Sequence, residues 1–123
     1  MIIYIREALP MDGWWSFRGI PYLLLRLSGT KTITHIYDPK SIEERRLLAK
    51  KCVKALKCEI KTYVDNMDDS VNRAYAAWPA RLYLIGVDGR VYYAGGLAPF
   101  GYRPGKLREA IKKYLSQYCP LAI

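Results

Sequence analysis

The chain is poor in the residues that build metal centres and proton relays. It has one histidine, His35, and three cysteines, at 52, 58 and 119, with no Cys-x-x-Cys spacing. Structural metal sites need several such ligands brought together, so no metal site and no cofactor are expected. The odd, widely spaced cysteines read as structural thiols and not as a disulfide framework. Long apolar runs are also missing: none reaches the ~18 residues that cross a bilayer, and the run from Ile20 ends at Arg26. Met1–Ile5 is too short for a signal-peptide core and has no basic residues before it. A soluble, cytoplasmic protein that does not enter the membrane is the expectation. Acidic residues are scarce, 11 Asp and Glu against 20 Lys and Arg, which leaves a formal charge of +9. That sign favours polyanions or acidic protein surfaces as partners.

What remains is enough for one domain: 123 residues, half of them apolar. Met1–Arg6 is apolar and β-branched and predicts a strand. Residues 7–19 carry Pro10, Asp12-Gly13 and Gly19 and predict a loop, in which Trp14, Trp15 and Phe17 need cover. Two apolar or β-branched runs, 21–27 and 31–37, flank Ser28-Gly29-Thr30 and predict a hairpin. His35 falls in its second strand, where a general-base role would need a partner that the sequence does not identify.

A helix is expected from the Asp38-Pro39-Lys40-Ser41 segment to about Lys57. It is capped either by Asp38 with Pro39 at the first helical position, or by a Ser41–Glu44 capping box. Leu48, Ala49, Cys52, Val53, Ala55 and Leu56 form its apolar stripe, which would leave Cys52 buried and unreactive. Arg46, Lys50, Lys54, Lys57 and Lys61 follow at steps of four, four, three and four. Helical spacing would line them along one side as an electrostatic footprint for a polyanion, or simply as a solvated face.

Residues 59–64 predict a short strand. Asp65-Asn66 then caps a helix through about Ala77, which Pro79 must end. Residues 81–87 and 90–94 predict two strands joined at Asp88-Gly89, a strong hairpin signal. The first is apolar on both sides, so cover on both faces is expected. Pro104 starts a last helix with Leu107, Ile111 and Leu115 as its core face. The alternation of strands and helices is that of an α/β layered domain.

Two segments carry a resemblance. Residues 4–14 read Tyr-Ile-Arg-Glu-Ala-Leu-Pro-Met-Asp-Gly-Trp, a Glu-Ala-x-Pro-x-Asp-Gly-Trp pattern. Residues 81–102 contain Arg-Leu-Tyr, Asp-Gly, Gly-Gly and Pro-Phe-Gly-Tyr in that order. Together they resemble the iodothyronine deiodinase family and its prokaryotic relatives over residues 1–14 and 38–118, leaving 20–37 outside. The resemblance implies a thioredoxin-like fold, a βαβ unit followed by a ββα unit. It also implies a cysteine or selenocysteine nucleophile after the first strand, and a cis-proline at Trp78-Pro79 facing it. Glu7, Asp12, Trp14 and Pro79 are the residues it carries over, as remnants of a site whose nucleophile the chain does not show. Leu9 stands where animal members have histidine, Arg6 where they have an acid, and Leu97-Ala98-Pro99 where they have Pro-Gly-Pro.

On this alignment Met1–Ile5 corresponds to the second strand of the fold. The expected fold is therefore a single thioredoxin-like domain lacking the first β-α unit, with an added hairpin at 21–37. Cys52, Cys58 and Cys119 do not take the nucleophile position. The resulting expectation is a non-catalytic binding or structural subunit. Its partners would be RNA, a ribonucleoprotein, DNA or an acidic protein on the basic residues, and further chains through strand pairing, in a homo-oligomer or larger assembly. The alternative is a thiol-redox protein using Cys58 or Cys119, with Lys57 and Lys61 flanking Cys58, or a fragment whose catalytic cysteine is encoded upstream.

Overall fold

Two small sheets and three helices make up the residues described by the computed structural model, which are 1–8, 10 and 36–118. The chain is α/β, and it divides into two compact units, Met1–Asn72 and Arg73–Ile123. The hairpin expected at 21–37 lies outside the described residues except for Ile36 and Tyr37, which are not in a strand. Asp12, Trp14, Trp15, Phe17, His35 and Cys119 also lie outside them. No helix among the described residues is long and apolar enough to cross a membrane.

In the first unit, β1 (Ile2–Tyr4) pairs in parallel with β2 (Thr62–Val64), Ile3 opposite Tyr63. Parallel strands need a crossover, and α1 (Ile42–Ala55) supplies it by packing on β2. Of the two expected starts, Ser41 is the cap. Its hydroxyl accepts the Glu44 N–H at 3.2 Å, while the Glu44 carboxylate accepts the Lys40 N–H at 2.7 Å.

The other end of α1 departs from expectation. Lys57 takes a left-handed φ of 49°. The Cys58 N–H then bonds the Val53 carbonyl at 3.0 Å and the Lys57 N–H the Lys54 carbonyl at 3.2 Å, which is a Schellman closure. The helix therefore stops at Ala55, short of Lys57, and the end of the expected apolar stripe is out of the core: Ala55 is exposed and Leu56 is 67% exposed. The buried stripe runs instead through Arg45, Ala49 and the half-buried Cys52 and Val53. The buried arginine was not expected.

Asp65, only 2% exposed, is the reason Arg45 is inside. The Asp65 carboxylate accepts the N–H groups of Asn66 at 2.9 Å, Val71 at 3.1 Å and Asn72 at 2.8 Å. It thus caps α2 (Ser70–Tyr75) from a distance, since Val71 and Asn72 carry first-turn donors with no helical partner. The helix begins later than expected because Asp69, at φ 55°, turns the chain just before it, and it ends at Tyr75 because Ala76, at φ 46°, turns the chain again. Arg45 Nη1 donates to the carbonyls of Asp65 at 3.3 Å and Asn66 at 2.6 Å and pairs with the Asp69 carboxylate at 3.0 Å. The loop 65–69 is thereby tied to α1.

In the second unit, β3 (Tyr83–Ile85) and β4 (Val91–Ala94) pair antiparallel, with a bulge between Leu84 and Ile85. Both strands turn at Asp88-Gly89 as expected, where Gly89 supplies the positive φ of 77°. The expectation that this strand is covered on both faces is corrected. Tyr83 and Leu84 are half-buried, but Ile85 is 40% exposed and Val87 98%.

Helix α3 (Pro104–Tyr118) packs on β3 and β4. Its core face is rotated from the expected Leu107–Ile111–Leu115 line: Tyr114 is the buried residue and Leu115 is exposed. A tyrosine wins that position because it does two jobs. Its ring packs on Tyr92 (4.6 Å between centroids) and Tyr118 (4.7 Å), and its hydroxyl accepts the Val87 N–H of the hairpin turn at 3.1 Å.

Asp65→Ala is expected to destabilise the protein by about 2–4 kcal/mol, because three N–H groups lose a charged acceptor, read as a lower urea midpoint. Burial alone would push the Asp65 carboxyl up, but the N–H groups of Asn72, Val71 and Asn66 and the Arg45 charge outweigh it and hold it below 3.8. The unfolded state therefore takes up protons first on acidification. This contribution is complete above the unfolded value and is lost as pH falls through the folded one. The pH dependence of the urea midpoint below pH 4 should weaken in Asp65→Ala.

Candidate functional site

Arg45 and Cys52, on one side of α1 with Ala49, lie near enough to Glu7 just after β1 to feel its charge or act on it. Steps of four and three put these residues on one side of the helix. Glu7 follows β1 and is half-buried, as is Asp38 just before α1. Pro10 and Pro39 nearby in sequence are buried. Burial pushes the Glu7 carboxyl above the ordinary glutamate value, the Asp38 charge pushes it further, and the Arg45 guanidinium opposes both. Cys52 feels the same surroundings. Burial raises its thiol, and the charges on Glu7 and Cys58 add to that.

Glu7, Asp38, Arg45 and Cys52 therefore share one electrostatic environment in the first unit. The Asp38 charge beside Glu7 outweighs the pull of a cation that is already paired with Asp69, so Glu7 holds its proton more tightly than a free glutamate. The arrangement can hold a proton on a carboxyl at a pH where a free glutamate has lost it, which suits general acid chemistry. A structural pairing perturbs carboxyl groups too, but it lowers them, as at Asp65, whereas Glu7 is raised. Among the described residues no group of three or more His, Cys, Asp or Glu side chains could hold a metal ion.

In the second unit the Trp78–Pro79 peptide is cis, as the resemblance implies, and Ala98–Pro99 is cis as well. Side chains from β3 and its approach hold this loop. Arg81 donates from Nε to the Gly95 carbonyl at 2.6 Å and from Nη1 to Ala76 at 3.4 Å. The Tyr83 hydroxyl donates to the Tyr75 carbonyl, with the two rings edge to face at 5.0 Å. The Ala98 N–H bonds the Ala80 carbonyl at 3.0 Å. The 96–101 loop closes on itself: a Cβ on Gly101 would lie 2.6 Å from the Gly96 carbonyl carbon, so the two backbones can touch only because both residues are glycine.

The polyanion residues are placed differently from expectation. Arg46, Lys50, Lys54, Lys57 and Lys61 are all exposed. Only Arg46, Lys50 and Lys54 lie on α1; Lys57 is in its left-handed cap, and Lys61 precedes β2 with its ammonium 5.2 Å from the Tyr63 ring centroid. The row is not one helix face, because the Schellman turn interrupts the helical spacing. Of the four residues carried over by resemblance, Glu7 and Pro79 are described, each in its own unit, and Asp12 and Trp14 are not.

Arg45, Asp38 and Arg81 were missed. A Glu43-Glu44-Arg45-Arg46 run looks like an ordinary charged helix start, and the signal for Arg45 was its position seven residues before Cys52 on the apolar stripe.

The iodothyronine deiodinase family model matches residues 1–115, a span that runs across 20–37. The chain is 38% identical over 114 residues to a thyroxine 5-deiodinase of Sparus aurata, covering 93% of this chain and 37% of that protein. It is 33% identical over 115 residues to the thyroxine 5-deiodinase of Aquarana catesbeiana, with 93% and 37% covered. To the type I iodothyronine deiodinase of Xenopus laevis it is 29% identical over 114 residues, with 92% and 38% covered. The chain thus spans little more than a third of the length of these relatives.

The Glu7 carboxyl, followed by carbon-13 NMR, is expected to titrate with a midpoint above 4.5, and Asp38→Asn to bring that midpoint down. A raised acid makes ionisation costly in the folded state, so stability falls as pH rises from the unfolded value through the folded one. Glu7→Gln is therefore expected to keep or raise the thermal midpoint at pH 7. A loss of stability there would show that Glu7 is a structural anchor.

Proposed function

The chain belongs to the iodothyronine deiodinase family, and we propose that it supplies the proton-holding side of a thiol-dependent reductive deiodination site on a thioredoxin-like scaffold. The observation that carries the proposal is Glu7. It sits in the Glu-Ala-x-Pro-x-Asp-Gly-Trp segment, and it is raised by burial and by Asp38. The order of elements supports the scaffold: a parallel β1–α1–β2 unit, then an antiparallel β3–β4 hairpin and α3.

The reaction class sets what such a carboxyl does. An aryl iodide and two thiols give the aryl C–H, a disulfide, a proton and iodide. The thiols provide two electrons, and the ring carbon that loses iodide gains a proton. A carboxyl whose proton is held more tightly than a free glutamate's can deliver that proton in the transition state, an effect worth about 10²–10⁴-fold in rate. By resemblance the nucleophile precedes the strand that β1 matches, so Cys52 and Cys58 are not assigned that role.

Thyroxine and dithiothreitol test the proposal, with iodide release measured on the protein as its gene encodes it. Glu7→Gln is expected to lower the rate by about 100-fold or more, while thyroxine binding, followed by tryptophan fluorescence, is retained. No release from the wild type, or release indifferent to Glu7→Gln, would overturn it.

A second, non-catalytic reading rests on the exposure of all five basic residues, Arg46, Lys50, Lys54, Lys57 and Lys61. If they contact a single-stranded RNA together, log affinity is expected to fall with log salt at a slope of about −3.5. Replacing Lys50 and Lys54 by glutamine should flatten that slope. Absence of binding at low salt removes this reading.

A further inference from the structure

Cys52 and Cys58 are six residues apart, a spacing that neither a helix face nor a strand would bring together. The end of α1 does so. In the Schellman closure Lys57 takes the left-handed position, Cys58 is the residue after it, and Cys52 lies in the last helical turn beside Val53. In this motif the side chain after the left-handed residue folds back onto the third and fourth residues before the cap. Those residues here are Val53 and Cys52. The position that ordinarily takes a small apolar contact is thus filled by two thiols. Both are free and half-buried.

We infer that Cys52 and Cys58 form a reversible dithiol–disulfide couple, closed by exchange with a low-molecular-weight disulfide of the glutathione class. The charge that Cys58 places on Cys52 when ionised agrees with their proximity. The surroundings also set the order of events. Cys52 is the more protected thiol, raised by burial and by Glu7. Cys58 lies beside the exposed Lys57, three residues before the exposed Lys61.

In the first step the Cys58 thiolate attacks one sulfur of the small disulfide. A mixed disulfide forms, and one small thiolate leaves and takes up the proton that Cys58 lost. Cys52, deprotonated in turn, attacks Cys58 Sγ and expels the second small thiolate, which takes the Cys52 proton. One sulfur–sulfur bond is broken and one formed. The protein is oxidised by two electrons and the small disulfide reduced to two thiols. The new bond would fasten the last turn of α1 to the lead-in of β2. The couple does not depend on the deiodination reading, since neither thiol is used in it.

The test is a redox titration of the full chain in oxidised and reduced glutathione at pH 7.5, quenched with an alkylating reagent and analysed by mass spectrometry after trypsin. Cleavage after Lys51, Lys54, Lys57 and Lys61 releases the two thiols on separate peptides, so the couple appears as 52–54 joined to 58–61. The expected result is that linked pair, restored to two alkylated peptides by dithiothreitol, with Cys119→Ser leaving the midpoint unchanged. Cys52→Ser should instead stop at a stable glutathione adduct on Cys58. Three outcomes would overturn the inference: both thiols still alkylated at full oxidation, separate glutathione adducts on each in the wild type, or a disulfide that contains Cys119. The wild-type titration needs no substitution, so a variant that fails to fold does not affect it.

Discussion

One buried cation organises the first unit. Arg45, only 3% exposed, has its guanidinium bonded to the carbonyls of Asp65 and Asn66 and paired with Asp69. A charge withdrawn from water needs partners, and its removal leaves them stranded, at about 3–5 kcal/mol for a broken buried pair. Asp69 sits at a left-handed φ, and Asp65 caps the helix that follows. The Arg45 contacts fix the loop 65–69 in the conformation that brings the Asp65 carboxylate to those donors. The parallel strand β2 enters this loop directly, since the Asp65 N–H bonds the Tyr4 carbonyl at 2.8 Å. Helix, sheet and cap therefore meet at one guanidinium.

The same cation sets the chemistry of Glu7. Its pull on the carboxyl is the least of the three influences, behind burial and the Asp38 charge. The Asp69 carboxylate, paired with Arg45 at 3.0 Å, offsets part of that pull. An arginine left to Glu7 alone would hold that group ionised and make it a simple salt-bridge partner. Burial and the Asp38 charge therefore set the direction, and the Glu7 carboxyl is raised despite the nearby guanidinium. A perturbed acid that weakens the fold when ionised is better explained by a task than by stability.

How far the fold was legible depended on whether the signal was local. Ser41 with Glu44, Asp88-Gly89 and Trp78-Pro79 each act through their own neighbours; the last two were read from the chain, and Ser41–Glu44 was one of the two starts it offered. The end of α1 was not, because a lysine and not a glycine takes the left-handed position. Leucine periodicity pointed to Leu115, while Tyr114 was chosen by a hydrogen bond to Val87, 27 residues away. Arg45 was missed for the same reason: its partners lie 20 and 21 residues on, and nothing near it in sequence announces them. At the candidate site, the motif pointed to Glu7 only as a family remnant, and nothing near it in sequence announced the Asp38 and Arg45 charges that act on it.

The distribution of positive charge follows from the shapes of the two basic side chains. Arg45 and Arg81 are spent inside their units, each bonding more than one backbone carbonyl, a task that suits a planar fork of donors. The lysines of the α1 row stay in water, where a compact, strongly hydrated ammonium is at least cost. The formal charge of +9 is therefore not one footprint. Arg45 is buried and Arg81 half-buried in bonds to backbone carbonyls, and the row of exposed cations is broken by the turn at Lys57 into helical and extended pieces. A charge count read from composition therefore overstates the charge left on the surface by the arginine the fold buries, and within the first unit it is the position of Arg45, not the number of cations, that bears on Glu7.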